Sequence, residues 1–267
     1  MQFDDSGFPY IEPGDDFKSC ATRIAAISDN EFALFPYISA DVVEEASLAG
    51  FMPMGIRVPS PNGEHDLLLP KLHQERCLLD PCSVRVTKTA RRDARRYHIS
   101  VNNAFNDVLT ACVSKHGDDW LVSDLVAVMH LLHDERASRR VAFISVELWA
   151  DDEGGPRLVA GEIGYVIGVC YASLSGFSSV SGAGTVQLAA LGRLLAQSGL
   201  RVWDLGMEIG YKMRLGARSL PRKAFLPILA RAYADSSVPA ASFKLEASKL
   251  LPARELLDDS VSQDGLC

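Results

Sequence analysis

The amino-acid sequence predicts a mixed α/β fold from three observations. Helical periodicity runs through residues 105–132, β-forming residues dominate residues 141–172, and a helical pattern returns near residue 185. Of the 267 residues, 48% are hydrophobic and 23% are charged, as in an ordinary globular protein. At roughly 100–200 residues per domain, this length allows one large domain or two small ones.

The first eighty residues give the weakest signals. Residues 1–38 have little periodicity, and no element is assigned there. Ser39 can cap a short helix, and Gly50 stands where a glycine commonly follows a helix end. Three prolines and two glycines within Gly50–Asn62 predict a loop. Two apolar stretches predict short strands or buried turns, Leu67–Leu69 and Cys77–Leu79.

Two amphipathic helices are predicted in the middle of the chain. Apolar residues at i, i+3, i+4 and i+7 form the buried face of the first helix, Phe105, Val108, Leu109 and Cys112. Ser123 begins the second helix as its cap. Its inward residues follow the same spacing, Leu125, Val128, Met129 and Leu132.

A β-hairpin and a long helix follow. Val141–Trp149 and Arg157–Ala172 predict two strands, joined by an acidic, glycine-rich turn at Asp151–Pro156. Ser173–Gly184 is rich in Ser and Gly and predicts a loop. A helix is expected from about residue 185 to residue 199.

The last part of the chain completes this order. Leu200–Leu205 predicts a strand, Tyr211–Leu215 a helical turn, and Pro221 the first turn of a last helix. Residues 236–267 are rich in Ser and Asp and are expected to be partly disordered, with one amphipathic piece at Phe243–Leu257. A long antiparallel hairpin that leads into a helix suggests an α/β layer of the acyltransferase type.

The charge of the chain is unevenly distributed. With 27 Lys and Arg against 34 Asp and Glu, the net charge is −7, which argues against a nucleic-acid partner. Residues 85–96 nevertheless carry +5, so the rest of the chain carries −12. We interpret this basic strip as a phosphate-facing surface rather than a solvated charge run. Its cations are Arg85, Lys88, Arg91, Arg92, Arg95 and Arg96.

Membrane and metal sites are not expected. No apolar run reaches the roughly 18–20 residues that span a bilayer, and the acidic N-terminus lacks the basic region of a signal peptide. We therefore expect a cytoplasmic protein without a membrane partner. Cys77 and Cys82 lack zinc-site spacing, and His130 and His133 lack a third ligand at metalloenzyme spacing.

Three segments carry a family resemblance. Residues 215–226 are LGARSLPRKAFL, residues 145–149 are SVELW, and residues 50–54 are GFMPM. The first is similar to the LGA-x-x-I-P-R-x-x-F/Y-L signature of the leucyl/phenylalanyl-tRNA–protein transferases, and the last resembles that family's R-G-I-F-P-W segment. In the order and spacing of its motifs, the chain resembles a divergent member of this family over roughly residues 30–232.

The resemblance implies both a fold and an activity. It implies a GCN5-related N-acetyltransferase-like domain, here residues 81–235, with a small N-terminal α+β domain, residues 1–80, packed on it and a tail, residues 236–267. It implies transfer of Leu, Phe or another amino acid from aminoacyl-tRNA to a protein N-terminus that begins with Arg or Lys, which marks the protein for degradation. The partners would be aminoacyl-tRNA, contacted by the basic strip, and protein N-termini. No cofactor or metal is required, and we expect a monomer.

The resemblance also assigns candidate site residues. Asp204 matches the family's active-site Asp, which would orient the incoming amine or accept its proton. The family's Gln and Glu positions hold Gly206 and Leu174, and Glu208 is a candidate substitute. The position of the Trp in F-P-W holds Met54. The expected substrate pocket is Met54, Trp120, Leu174, Phe177 and Gly206.

Two alternatives remain at this point. The loss of the Gln and Glu also fits a catalytically degenerate relative that binds tRNA or protein N-termini. A CoA-dependent N-acyltransferase is the other alternative, because residues 181–185, SGAGT, lead into a helix start whose amides can hold a phosphate.

Overall fold

The computed structural model describes residues 1–61, 63–117, 119–237 and 249–258. In these residues the strands are β1 (Gln2–Phe3), β2 (Pro9–Tyr10), β3 (Gly55–Ser60), β4 (Gly63–Leu68), β5 (Glu75–Leu79), β6 (Tyr97–Val101), β7 (Ala142–Ala150), β8 (Arg157–Ile167), β9 (Cys170–Ser178), β10 (Val202–Asp204), β11 (Arg218–Pro221) and β12 (Leu251–Pro252). The helices are α1 (Phe17–Ile27), α2 (Ala40–Leu48), α3 (Lys88–Asp93), α4 (Phe105–His116), α5 (Ser123–Asp134), α6 (Ala183–Gln197), α7 (Gly210–Leu215), α8 (Arg222–Ala234) and α9 (Ala253–Leu257).

Eight strands form one mixed sheet in the order β11-β5-β10-β9-β8-β7-β6-β12. Neighbours are antiparallel except β9 and β10, which are parallel and are connected through α6. Helices α6 and α9 bury apolar residues in one hydrophobic cluster, and α1, α2, α4, α5 and α8 do so in a second one. The predicted mixed α/β class is therefore confirmed. Strand β5 lies before the expected domain boundary at residue 80 yet pairs with β10 and β11, and that boundary stays a prediction.

The strongest local predictions match the structure. Ser39 caps α2, where its hydroxyl accepts from the backbone N–H of Val42, and Gly50 follows the helix end with a φ of 90°. Helices α4 and α5 bury the eight apolar residues that their periodicity indicates, but the N-cap residue of α5 is Val122 and not Ser123, which is the first residue of the helix. Apolar residues that repeat over three helical turns were enough to predict the buried face of each of these two helices.

In the N-terminal region one helix was not predicted and one predicted loop is wrong. The unassigned residues 1–38 contain α1, which Asp16 caps and which buries Phe17, Cys20, Ala21 and Ile24 at helical spacing. The expected loop Gly50–Asn62 contains β3, which pairs with β4 in an isolated two-stranded sheet. Pro59 is tolerated there because both strands are edge strands.

The predicted second hairpin strand is too long. The chain turns at Gly168, which has a φ of 55° and where a Cβ would lie 2.2 Å from the Ala232 carbonyl oxygen. Strand β9 then extends to Ser178, so half of the expected loop Ser173–Gly184 is a strand instead. Leu174 and Phe177 consequently lie on a rigid element rather than a loop.

The C-terminal residues that the structure describes pack on the main sheet. β12 pairs with β6, and α9 buries Ala253, Leu256 and Leu257. Residues 238–248 and 259–267, which include much of the predicted tail, lie outside the described residues. Within the described ranges, none of the helices has the length and apolar character needed to cross a bilayer.

Candidate active site

A cavity of about 830 Å³ opens where β9, α6 and α7 meet the segment around residues 52–54. All five residues expected to form a substrate pocket lie in its wall, Met54, Trp120, Leu174, Phe177 and Gly206. The structure thus brings together residues separated by about 150 positions in the sequence. That they hold substrate stays a prediction.

Close backbone packing positions two parts of this wall. The N–H of Gly55 donates to the Trp120 carbonyl at 2.8 Å, and a Cβ on Gly55 would lie 2.2 Å from Val122. This approach holds Met54 beside Trp120. Leu174 is the extra residue of an irregularity between β8 and β9, where the register shifts between Ile163 and Gly164. Such a bulge changes the direction of the side chain that it displaces.

A buried glutamate lies in the cavity wall with three hydrogen-bond donors. Glu162 Oε1 accepts from Tyr171 Oη at 2.8 Å and from Ser173 Oγ at 2.7 Å, and Oε2 accepts from Gln187 Nε2 at 3.2 Å. Glu162, Ser173 and Gln187 line the cavity. Burial raises the pKa of the Glu162 carboxyl, and these hydrogen bonds oppose that rise. We call these four residues the Glu162 cluster.

A second buried group, the Arg76 cluster, consists of His73, Arg76 and Asp204. Arg76 Nη1 donates to Asp204 Oδ2 at 3.1 Å, and both side chains have no exposed surface. The same Nη1 donates to the Gly50 carbonyl at 2.9 Å, while the guanidinium lies 4.7 Å from the Phe225 ring centre. The cluster therefore connects β5, the end of β10 and Gly50, which lies beyond the C-cap of α2.

Arg76 also fixes the protonation state of His73. Arg76 Nη2 lies 3.1 Å from His73 Nδ1, and since a guanidinium only donates, Nδ1 must accept and Nε2 must carry the proton. Burial, followed by the charge of Arg76, lowers the pKa of His73 to about 2. His73 lines the cavity, so a neutral imidazole with a protonated Nε2 is available there as a hydrogen-bond donor.

The two residues expected to be catalytic do not line this cavity. Asp204 Oδ1 accepts from the Gly206 N–H at 2.9 Å and Oδ2 binds Arg76, so both oxygens are engaged. Glu208 is exposed, in the loop before α7. Asp204 thus positions Arg76 and the backbone that leads to Gly206, while a catalytic role for either carboxylate stays a prediction.

A buried lysine also lies in the cavity wall. Lys212 Nζ donates to the carbonyls of Leu205 and Met207, and its side chain lines the cavity. Burial lowers the pKa of its ammonium. These hydrogen bonds connect the loop between β10 and α7 to α7 itself.

The basic strip begins at the cavity. Arg85 lies in the cavity wall, and the next cations continue along α3 and the short 3₁₀ helix Ala94–Arg96. Four of them share a surface depression with Arg254 of α9, namely Lys88, Arg91, Arg92 and Arg95. Arg96 instead lies 5.4 Å from the Tyr97 ring centre. A role for the strip in tRNA binding stays a prediction.

Comparison with known proteins decides the family. A sequence model described as "Leucyl/phenylalanyl-tRNA protein transferase" matches residues 78–230, which is more than half of the chain. This chain belongs to that family. The predicted family resemblance is confirmed, and the match contains the end of β5 and all of β6 to β11, together with most of the cavity wall.

Curated relatives named leucyl/phenylalanyl-tRNA–protein transferase agree with this assignment. Those from Nitrosomonas eutropha, Psychrobacter arcticus and Azoarcus sp. are 31%, 31% and 30% identical to this transferase-family chain. The matches cover 58%, 57% and 62% of this chain and 65%, 58% and 68% of the respective relatives. The chain therefore spans less than two thirds of the first two.

Solved structures add little. The structure of FemX covers 79% of this chain and 78% of its own at a TM-score of 0.44 and 10% identity. A probable N-acyltransferase from Enterococcus faecalis covers 77% of this chain and 47% of its own at a TM-score of 0.38 and 9% identity. Both scores are below 0.5, and neither likeness carries an argument.

Several residues of the site escaped sequence reasoning. His73 and Arg76 lie in a segment with weak periodicity, and their meeting with Asp204 depends on strand order. Glu162 had a visible signal, because it interrupts the apolar pattern of Leu158–Val169. A charged residue within a strand that is buried on both faces needs a partner or a function.

Proposed function

We propose that this chain transfers an amino acid, Leu or Phe by analogy with the named relatives, from a charged tRNA to the N-terminal amine of a protein. The observation that carries the proposal is the continuity between cavity and basic strip. Arg85 lines the cavity, and the strip continues outward from it. A tRNA bound along the strip can bring its 3′ end into the cavity.

The reaction is attack by an amine on an ester carbonyl. The amine nitrogen bonds to the carbonyl carbon, the bond to the ribose oxygen breaks, and that oxygen takes the proton released by the amine. The His73 Nε2–H is suited to stabilise the negative charge that develops on the carbonyl oxygen. The apolar side chains of Trp120 and Phe177 are suited to bind the transferred Leu or Phe side chain.

Family membership and an apolar cavity support transfer over mere binding, although the family's Gln and Glu are absent. The test is to incubate the protein with leucyl- or phenylalanyl-tRNA and peptides of varied first residue, and to follow peptide mass. We expect one added residue on some peptides. No transfer to any peptide, with tRNA binding intact, would leave the degenerate, binding-only relative as the better account.

The CoA-dependent alternative has one structural point in its favour. Gly182 and Gly184, at the start of α6, line the same cavity. Calorimetric titration with acetyl-CoA separates the two reactions. We expect no heat of binding, whereas micromolar affinity together with acetyl transfer to an amine would replace the tRNA-dependent proposal.

The basic strip provides a quantitative check. Replacing Arg91, Arg92, Arg95 and Arg96 with Ala should weaken tRNA binding and reduce its salt dependence, by a slope of roughly 0.7–0.9 for each lost phosphate contact. The control removes four cations outside the strip, Arg201, Arg218, Lys223 and Arg231, which are exposed. Because both variants have the same net charge, equal effects would contradict a local docking surface.

Tagging for degradation is the cellular part of the proposal. A reporter protein that begins with Arg or Lys should have a shorter half-life in cells that express this chain than in cells that lack it. A half-life independent of this chain would remove that role while leaving the transfer reaction to be judged in vitro.

A further inference from the structure

Five carboxylates are buried in the described part of the chain, and most of them are paired with arginine. Asp66 pairs with Arg57, Asp204 with Arg76, and Glu44 with Arg139 and Arg140. The other two, Glu147 and Glu162, form no ion pair with any described residue. Of these two, Glu162 alone lines the cavity.

The hydrogen bonds of Glu162 leave room for one more donor. A carboxylate accepts about four hydrogen bonds. Oε1 already accepts from Tyr171 and Ser173, whereas Oε2 accepts from Gln187 alone. An acceptor position therefore remains on Oε2, in a residue that is 4% exposed and lies in the cavity wall.

Lys212 places a positive charge near Glu162 without a direct ion pair, and this charge lowers the pKa of the Glu162 carboxyl. Its ammonium also lines the cavity, but it donates to the carbonyls of Leu205 and Met207 and forms no ion pair with Glu162. Neutral donors compensate the charge of a buried carboxylate only in part. A buried carboxylate with neutral donors therefore favours a cationic ligand. A group with these properties in a cavity is a candidate for substrate binding.

We propose that Glu162 is a specificity-determining residue that binds the cationic side chain at the first position of the acceptor polypeptide. The inference rests on the proposed function, because it places the acceptor N-terminus in this cavity. The attacking α-amine must be neutral, so it offers a carboxylate no opposite charge. A guanidinium or lysine ammonium stays charged at neutral pH and can donate to Oε2.

The test measures peptide binding without tRNA. Calorimetry compares a peptide that begins with Arg with one that begins with citrulline, which has nearly the same shape but no charge. Wild-type protein should bind the Arg peptide at least about tenfold more tightly, since charge-assisted hydrogen bonds exceed neutral ones by roughly that factor. Equal affinity of the wild-type protein for the two peptides would overturn the proposal.

Two matched variants locate the effect. Glu162→Gln keeps the shape of the side chain and should reduce the preference to within about twofold. Glu147→Gln is the same substitution at a buried glutamate of the neighbouring strand β7, held by Ser100 and Ser145 away from the cavity, and should retain the full preference. Loss of the preference in both variants, or in neither, would contradict the proposal.

Two further checks separate the possible failures. Glu162→Asp retains the charge and should keep part of the preference, and thermal unfolding verifies that each variant is folded. An equal loss of affinity for both peptides in Glu162→Gln would mean that the residue does not recognise the side-chain charge. Absence of transfer by the wild-type protein counts against the proposed function alone, since binding is measured without tRNA.

Discussion

The Arg76 and Glu162 clusters both bury a carboxylate next to the same cavity, and they compensate its charge differently. Asp204 has an arginine partner and a backbone N–H, so a buried cation compensates its charge and each of its oxygens accepts a hydrogen bond. Glu162 has neutral donors and a free acceptor position. A carboxylate that is paired with a buried cation connects parts of the fold, whereas one that has only neutral donors and lines a cavity is available to a ligand.

The largest expected effect of this difference is on stability. Asp204→Ala leaves the Arg76 charge buried without its anion and should lower the free energy of unfolding by about 4 kcal/mol. Urea denaturation measures this change. The control is Glu208→Ala, at the exposed residue four positions later, which should stay within about 0.5 kcal/mol. A small effect of Asp204→Ala would remove the structural distinction between the clusters.

The His73 pKa gives the next largest effect. Because the folded pKa is about 2, His73 stays neutral in the folded protein, while in the unfolded chain it gains a proton below about pH 6.5. Stability is therefore lost as pH falls from about 6.5 towards 2, by up to about 1.4 kcal/mol per pH unit. His73→Gln, whose amide oxygen can accept from Arg76, should lack this component when unfolding is compared from pH 6.5 to 4.5. Parallel pH profiles of wild type and variant would contradict the assigned neutral state.

The smallest expected effect concerns Glu162. Its pKa is raised, so the folded state disfavours the charge and wild-type stability is lost as pH rises through the folded pKa. Glu162→Gln should therefore be as stable as wild type at pH 7, or more stable by about 1 kcal/mol, and should lose this advantage towards pH 4. Thermal unfolding at both pH values measures it. A large destabilisation at pH 7 would place Glu162 with the structural carboxylates.

Short-range sequence patterns correctly predicted the elements that depend on residues close to one another in the sequence. The faces of α4 and α5 and the Ser39 cap depend on residues within a few turns of one another. The β3–β4 hairpin was not predicted because its prolines and glycines also fit a loop. The end of β9 was not predicted because Ser173–Ser178 lacks β-branched residues. In these cases pairing with a neighbouring strand outweighs intrinsic propensity.

Family motifs brought out residues that the structure places together, although their role in substrate binding stays a prediction. Met54, Trp120, Leu174, Phe177 and Gly206 were found by motif position, and they share one cavity wall. The Arg76 cluster was not found, because Arg76 and Asp204 are 128 residues apart and meet only when β5 pairs with β10. The spacing of residues in a single sequence does not reveal that β5 pairs with β10.

We propose that the cavity wall, which includes His73 but neither Arg76 nor Asp204, receives the aminoacyl end of a tRNA. The most direct test uses the intrinsic fluorescence of Trp120, which lines the cavity, whereas Trp149 and Trp203 do not. The ligand is a short acceptor-stem RNA hairpin that carries Phe at its 3′ end through a non-hydrolysable amide. We expect a saturable fluorescence change that persists in Trp149→Phe and is lost in Trp120→Phe. A change that survives in Trp120→Phe, or its absence in the wild-type protein at saturating RNA, would contradict the account.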